Sequence, residues 1–157
     1  MSKYPEDHEG VIDSFDYRDL HCTVLRQDMG HPCGYVRVPD CPVATYEGIM
    51  AYVPVHGGLT YAKQDDGSVV YGFDCAHSHS RPHLFNNPEW MRMQCRQMVD
   101  GILTALPLRA EYNATADNEA RAAIAQKVVD VAPSEEIGFT GLISMFCGVL
   151  SSEDSSQ

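Results

Sequence analysis

The chain is short of positive charge: 11 Lys and Arg stand against 22 Asp and Glu in 157 residues, a formal net charge of −11. Binding to a nucleic-acid polymer rests on Lys and Arg that neutralise phosphates, so such polymers are poor partners for this chain. A solvated acidic surface is the plain consequence, and a basic protein is the macromolecule it would suit. No stretch approaches the roughly 18 apolar residues that span a bilayer. The first residues, MSKYPEDHEG, lack the hydrophobic run of a signal peptide, so the expected location is the cytoplasm. Internal repeats are missing as well.

No Cys-x-x-Cys pair occurs among Cys22, Cys33, Cys41, Cys75, Cys95 and Cys147, which argues against a zinc ribbon or finger. In a cytosolic chain these are expected to be reduced thiols or metal ligands. Cys95 and Cys147 fall in apolar helical patterns and read as small core residues, Cys33 and Cys41 flank a short strand, and Cys75 stands out for its neighbours.

What is present suffices for one domain: 44% of residues are apolar, enough for a core without staples. Residues 1–19 are charged and aperiodic and read as a loose acidic arm. Residues 20–38 read as a hairpin turning through Asp28-Met29-Gly30-His31-Pro32. Tyr46–Val55 reads as a half-buried strand with Ile49, Ala51, Val53 and Val55 on one face. Leu59–Lys63 and Ser68–Cys75 read as two strands around Asp66-Gly67. Asn87-Pro88 signals a helix start, followed by the stripe Met91, Cys95, Met98, Val99 and Ile102. A second helix is predicted over 116–131. A third apolar segment after Pro133 and Ser134 carries Phe139, Leu142, Ile143, Phe146 and Val149, and a polar tail over 151–157 reads as disordered. Strands first and helices afterwards predict an α+β fold: a twisted antiparallel sheet over about 20–76, packed against C-terminal helices in a single domain over 20–150.

Function is expected where HGGLTY (His56–Tyr61) meets GFDCAHSH (Gly72–His79). If Asp66 and Gly67 are the central turn residues, Lys63 faces Val70 and Tyr61 faces Gly72. Carried outward, Gly58 faces Cys75 and His56 faces His77, so His56, Thr60, Cys75 and His77 share a face, with Gly58 leaving Cys75 uncovered. A register shift by one residue would put Asp74 in place of Cys75. Three chemistries fit. Two neutral imidazoles, His56 and His77, can divide general-base and general-acid duties on a phosphodiester without a metal, with Thr60 and the Gly57-Gly58 amides holding phosphoryl oxygens. Cys75 can be a nucleophile activated by His56 or His77, with Asp74 orienting. As an alternative, Cys75, His77, His79 and His56 make a zinc-like ligand set; the main reading uses no cofactor. Against these stands the reading in which Cys75 is a core residue and the histidines bond to loops; the density of reactive groups in 24 residues favours a site. Tyr61, His79 and Arg81 complete the expected ligand contacts, Arg81 with Arg92 and Arg96 being the concentrated positive charge nearby. Trp90 and Tyr52 are further candidates for stacking.

The runs CGYVRVP (Cys33–Pro39), VHGGLTYA (Val55–Ala62) and YGFDCAH (Tyr71–His77), in this order, resemble a motif set of small proteins encoded by phages and prophages, over about residues 22–105. Members carry a small residue, Gly and Asp after the motif histidine; this chain has Ser78-His79-Ser80, which counts against His79 as a required ligand and against the zinc set. The resemblance implies a phage accessory protein acting in a host cytoplasm, and proteins of this size often serve counter-defence. The expectation is an enzyme hydrolysing a small anionic, nucleotide-like phosphoester such as a cyclic-nucleotide messenger. The alternatives are a sponge that sequesters such a molecule, a class that forms homo-oligomeric cages, and an acidic protein-binding inhibitor.

Overall fold

The computed structural model describes residues 3–28, 30–77 and 79–131. The predicted third apolar segment, the 151–157 tail and Cys147 lie outside the described residues.

Five strands, β1 (Val11–Tyr17), β2 (Leu20–Arg26), β3 (Pro32–Val38), β4 (Tyr61–Asp65) and β5 (Ser68–Asp74), form one antiparallel sheet in the order β1-β2-β3-β5-β4. The chain leaves β3, runs to the far edge as β4 and returns between them as β5. Helices α1 (Pro82–Phe85), α2 (Pro88–Ala114) and α3 (Asn118–Val129) follow, so the fold is α+β as the sequence predicts. The β4–β5 register is set by Asp66 and Gly67, both at positive φ (48° and 87°), the backbone of a tight hairpin turn matched to strand twist. Tyr61 pairs with Gly72, Lys63 with Val70 and Asp65 with Ser68, in agreement with the predicted pairing.

Helix α2 crosses the inner face. Its N-cap Asn87 accepts hydrogen bonds from the amides of Glu89 and Trp90, and Pro88 occupies the first turn. Met91, Cys95, Met98, Val99 and Ile102 are each at most 2% exposed against Val36, Tyr71 and Phe73 of the sheet. Close approach of α2 to β3 needs Gly34: a Cβ there would lie 2.4 Å from the Phe73 ring and 2.9 Å from Cys95 Sγ. Asp117 caps α3, which buries Ile124, Ala125 and Val128.

Two segments depart from the sequence reading. Residues 3–19 are not a loose arm: Val11–Tyr17 pair with β2 as an edge strand, and Tyr4 packs on Tyr35 and Tyr61 of the sheet's outer face. The Tyr4 hydroxyl bonds that of Tyr35 at 2.8 Å, and Arg37 joins Glu6 (2.6 and 2.9 Å) to Asp65 (2.8 Å). Periodicity in β1 is masked because Asp13 takes an inward position, where Arg92 of α2 holds it with two hydrogen bonds of 2.8 Å, while Ile12 faces out at 54% exposure. Tyr46–Val55 is not a strand. Gly48–Tyr52 form a short 3-10 helix, with Ile49, Met50 and Val53 buried and Ala51 and Tyr52 exposed.

Candidate functional site

Val55–Gly58 form a tight turn in which the Gly58 amide donates to the Val55 carbonyl (2.8 Å), with Gly57 and Gly58 at φ of +73° and +77°. That turn ends the hairpin pairing at Tyr61 and lifts His56 off the strand line. His56 is instead held by α2: its amide donates to Gln94 Oε1 at 2.9 Å, and its ring stands edge-on to Trp90 at 5.4 Å.

At the end of β5 the Asp74 carboxylate accepts the Ala76 amide (2.9 Å) and the Thr60 hydroxyl (3.0 Å), which folds the chain back. A second turn follows, the Ser80 amide donating to the His77 carbonyl at 3.0 Å. Three imidazoles are thereby gathered: ring centres are 5.7 Å apart for His56–His77, 4.7 Å for His56–His79 and 5.3 Å for His77–His79. His56 Nε2 is 2.8 Å from Ser80 Oγ, which also accepts the His77 amide at 3.3 Å. His77 Nε2 lies 3.4 Å from Asp74 Oδ1, within ion-pair range though not aligned as a hydrogen bond, and it is buried without another partner. It packs on Gly57, where a Cβ would come within 2.2 Å of it.

The electrostatics of these groups differ. Burial, reinforced by His79 and His77, lowers the His56 pKa to about 4, so this ring is neutral at pH 7. Burial, His77 and Arg81 lower that of His79 as well. For Asp74, burial acts upward but is outweighed by the Ala76 amide, the Thr60 hydroxyl and the nearby histidines, leaving its carboxyl below the usual value.

Cys75 is not on this face. It continues the inward alternation of Val69, Tyr71 and Phe73, is 2% exposed, and its thiol meets Met91 Sδ at 3.9 Å. Burial, with Cys33 and Asp74 adding, pushes its pKa up to about 12, the opposite of an activated thiol. The predicted face of His56, Thr60, Cys75 and His77 therefore does not form; Asp74, which bonds Thr60, takes the place of the thiol. Of the four residues of the zinc-like set, Cys75 is turned into the core, and among the described residues no three His, Cys, Asp or Glu are grouped to hold a metal ion.

Of the arginines, Arg92 is paired with Asp13 and Arg96 with Glu89, so both belong to the scaffold. Arg81 is exposed at the start of α1, close enough to bear on His79. Beside the imidazoles, on the outer face of the sheet, opens a cleft of about 390 Å³. Tyr35 and Tyr61 give it aromatic walls, Gln27, Asp28 and His31 a polar rim, and Thr60 and Asp74 the end that adjoins His77. Trp90 contributes by packing on His56. Ser80, Gln94 and Gln27 escape the sequence reading. Gln94 alone leaves a trace there, as a polar residue on the apolar side of α2, where it is 6% exposed.

Comparison with protein-family models, with curated proteins and with solved structures finds no match to the chain. Among the described residues no helix is long and apolar enough to cross a membrane.

Proposed function

We propose that the protein is a phage-type accessory enzyme, acting in host cytoplasm against a nucleotide-based defence signal, that hydrolyses a phosphoester of a small nucleotide by imidazole acid–base chemistry. The observation that carries this reading is the contrast between two histidines 5.7 Å apart. Neutral, half-buried His56 is suited to take a proton from an attacking hydroxyl, and His77 Nε2 lies 3.4 Å from the Asp74 carboxylate. Paired groups in opposed surroundings are how one site divides base and acid duties. The adjoining cleft supports a nucleoside as the rest of the substrate: tyrosines offer stacking, and Gln27, Thr60 and Asp74 offer hydrogen bonds to a base or ribose. Asp28 and Asp74 make the cleft itself unsuited to phosphate, which leaves the charged group to the imidazoles and Arg81. Sequestration without chemistry is the second reading, favoured by the lining of the cleft, where tyrosines and hydrogen-bonding side chains would hold a nucleoside whether or not it reacts.

Incubation with a panel of cyclic mono- and dinucleotides, followed by analysis of what heat denaturation releases, separates the two: altered nucleotide means catalysis, intact nucleotide means capture. His56→Ala and His77→Ala are each expected to lower turnover by roughly 10² or more. Retention of full turnover and binding by both variants removes the site.

A further inference from the structure

We infer that Ser80 is the nucleophile of this site, with His56 as its base, so that the reaction passes through a phosphoserine; the inference rests on the phosphoester reading above. Ser80 Oγ accepts the His77 amide at 3.3 Å and is 2.8 Å from His56 Nε2. With one contact supplied by a donor, the hydroxyl proton is free to point at the imidazole. His56 is neutral, and in the tautomer that carries the ring proton on Nδ1 its Nε2 accepts the Ser80 hydroxyl. Both partners are fixed before any substrate arrives: His56 by Gln94 and Trp90 of α2, Ser80 by the turn that returns its amide to the His77 carbonyl. A hydroxyl, a base within hydrogen-bond reach and a scaffold that orients the base are the parts of an activated nucleophile. Ser80 is half-buried, and the residue after it, Arg81, is exposed and close enough to His79 to lower its pKa.

The low basicity of His56 in the free protein does not oppose this role. Burial and the two neighbouring imidazoles disfavour its cation only until an anion enters; a phosphoryl group gathering negative charge during attack stabilises the imidazolium as it forms. In the first step Oγ bonds to phosphorus, the Ser80 proton passes to His56 Nε2, and the phosphorus–oxygen bond of the leaving alcohol breaks, its oxygen taking a proton from His77. In the second, water attacks the phosphoserine and gives a proton to His77, while Oγ departs with the proton held by His56. One water is consumed and both imidazoles return to their starting forms.

A fluorophosphonate probe tests the nucleophile independently of the natural substrate. On the full-length protein at neutral pH, intact mass and peptide mapping are expected to show one adduct, on Ser80, forming at least about tenfold more slowly in His56→Asn. Ser80→Ala is expected to lower nucleotide turnover by roughly 10² or more. No adduct on wild-type Ser80, together with Ser80→Ala turnover within about threefold of wild type, overturns the nucleophile and leaves the phosphoester reading standing, with water as the attacking group. An adduct on Ser80 without consumption of any nucleotide in the panel supports the nucleophile and overturns the nucleotide. Absence of both adduct and turnover overturns both.

Discussion

Burial holds His56 at a pKa of about 4, so between that value and the 6.5 of a free imidazole the unfolded chain binds a proton that the folded chain refuses. The unfolded state gains from each step down in pH across this window, and stability falls with it. The contribution is fully present above pH 6.5 and is lost as pH drops toward 4, by at most on the order of 3 kcal/mol. Urea midpoints at pH 7 and pH 5 should therefore separate for wild type and close up in His56→Asn. Equal separation in the two proteins would mean that the ring is solvated. Gly57 gives a second test at this scale. Gly57→Ala and Gly58→Ala both place an L-residue at positive φ, costing about 1–2 kcal/mol. Only at position 57 does the new Cβ strike His77 Nε2, at 2.2 Å; at position 58 nothing lies within 4 Å. Similar losses of stability are thus expected with very different losses of turnover, roughly 10² for Gly57→Ala and little for Gly58→Ala, since displacing a reacting group by about 1 Å has that effect.

Among the elements, α2 links packing to the site. Its first two turns carry Trp90 and Gln94, the residues that hold the ring and main chain of His56. Asn87→Ala removes the cap and is expected to cost about 1 kcal/mol. Asp117→Ala removes the corresponding cap of α3, whose carboxylate accepts the Ala120 amide, and is expected to cost a similar amount. Turnover measured well below both melting temperatures should fall for Asn87→Ala alone, because fraying at Pro88–Met91 loosens His56 whereas fraying of α3 does not. The elements that were legible in the sequence share a local cause. Asp66-Gly67 dictates a turn whose register follows from counting, and Asn87-Pro88 dictates a helix start. Over Tyr46–Val55, Ile49, Ala51, Val53 and Val55 alternate in the sequence as a strand's residues do. The buried set is Ile49, Met50 and Val53, the i, i+1, i+4 spacing of a helical turn.

At the scale of the molecule, what escaped the sequence is whatever depends on non-local partners. Register counted correctly along β4 and β5 could not be carried past Thr60, because two glycines at positive φ turn the chain there. Cys75 consequently faces the core and not His56, and Ser80 is placed by a turn and an imidazole 24 residues away, which no local pattern marks. The N-terminal residues read as loose for the same reason, since the partners of Val11–Tyr17 lie on β2 and those of Tyr4 and Glu6 on β3 and β4. Arg37 is the tie: its side chain is 13% exposed and binds Glu6 with two hydrogen bonds, Asp65, Ser68 and the Tyr4 carbonyl. Arg37→Ala would leave Glu6, 18% exposed, without its partner, while Asp65, at 45%, regains water. The expected cost is about 2–3 kcal/mol, below that of a fully buried pair because one carboxylate is solvated. Arg37→Lys should recover only part of it, since an ammonium cannot bridge two carboxylates in the geometry of a guanidinium. The pH dependence identifies the cause. The Arg37 hydrogen bond holds the Glu6 carboxyl below its ordinary 4.5, so this stabilisation is present above that value and is lost as pH falls through the folded one. Urea midpoints of wild type and Arg37→Ala should differ at pH 7 and converge below about pH 4.5. Trypsin cleavage after Lys3 should be faster in the variant at neutral pH. An N-terminal segment cleaved at the wild-type rate, in a variant equally destabilised at every pH, would show that Arg37 acts through packing and not through Glu6.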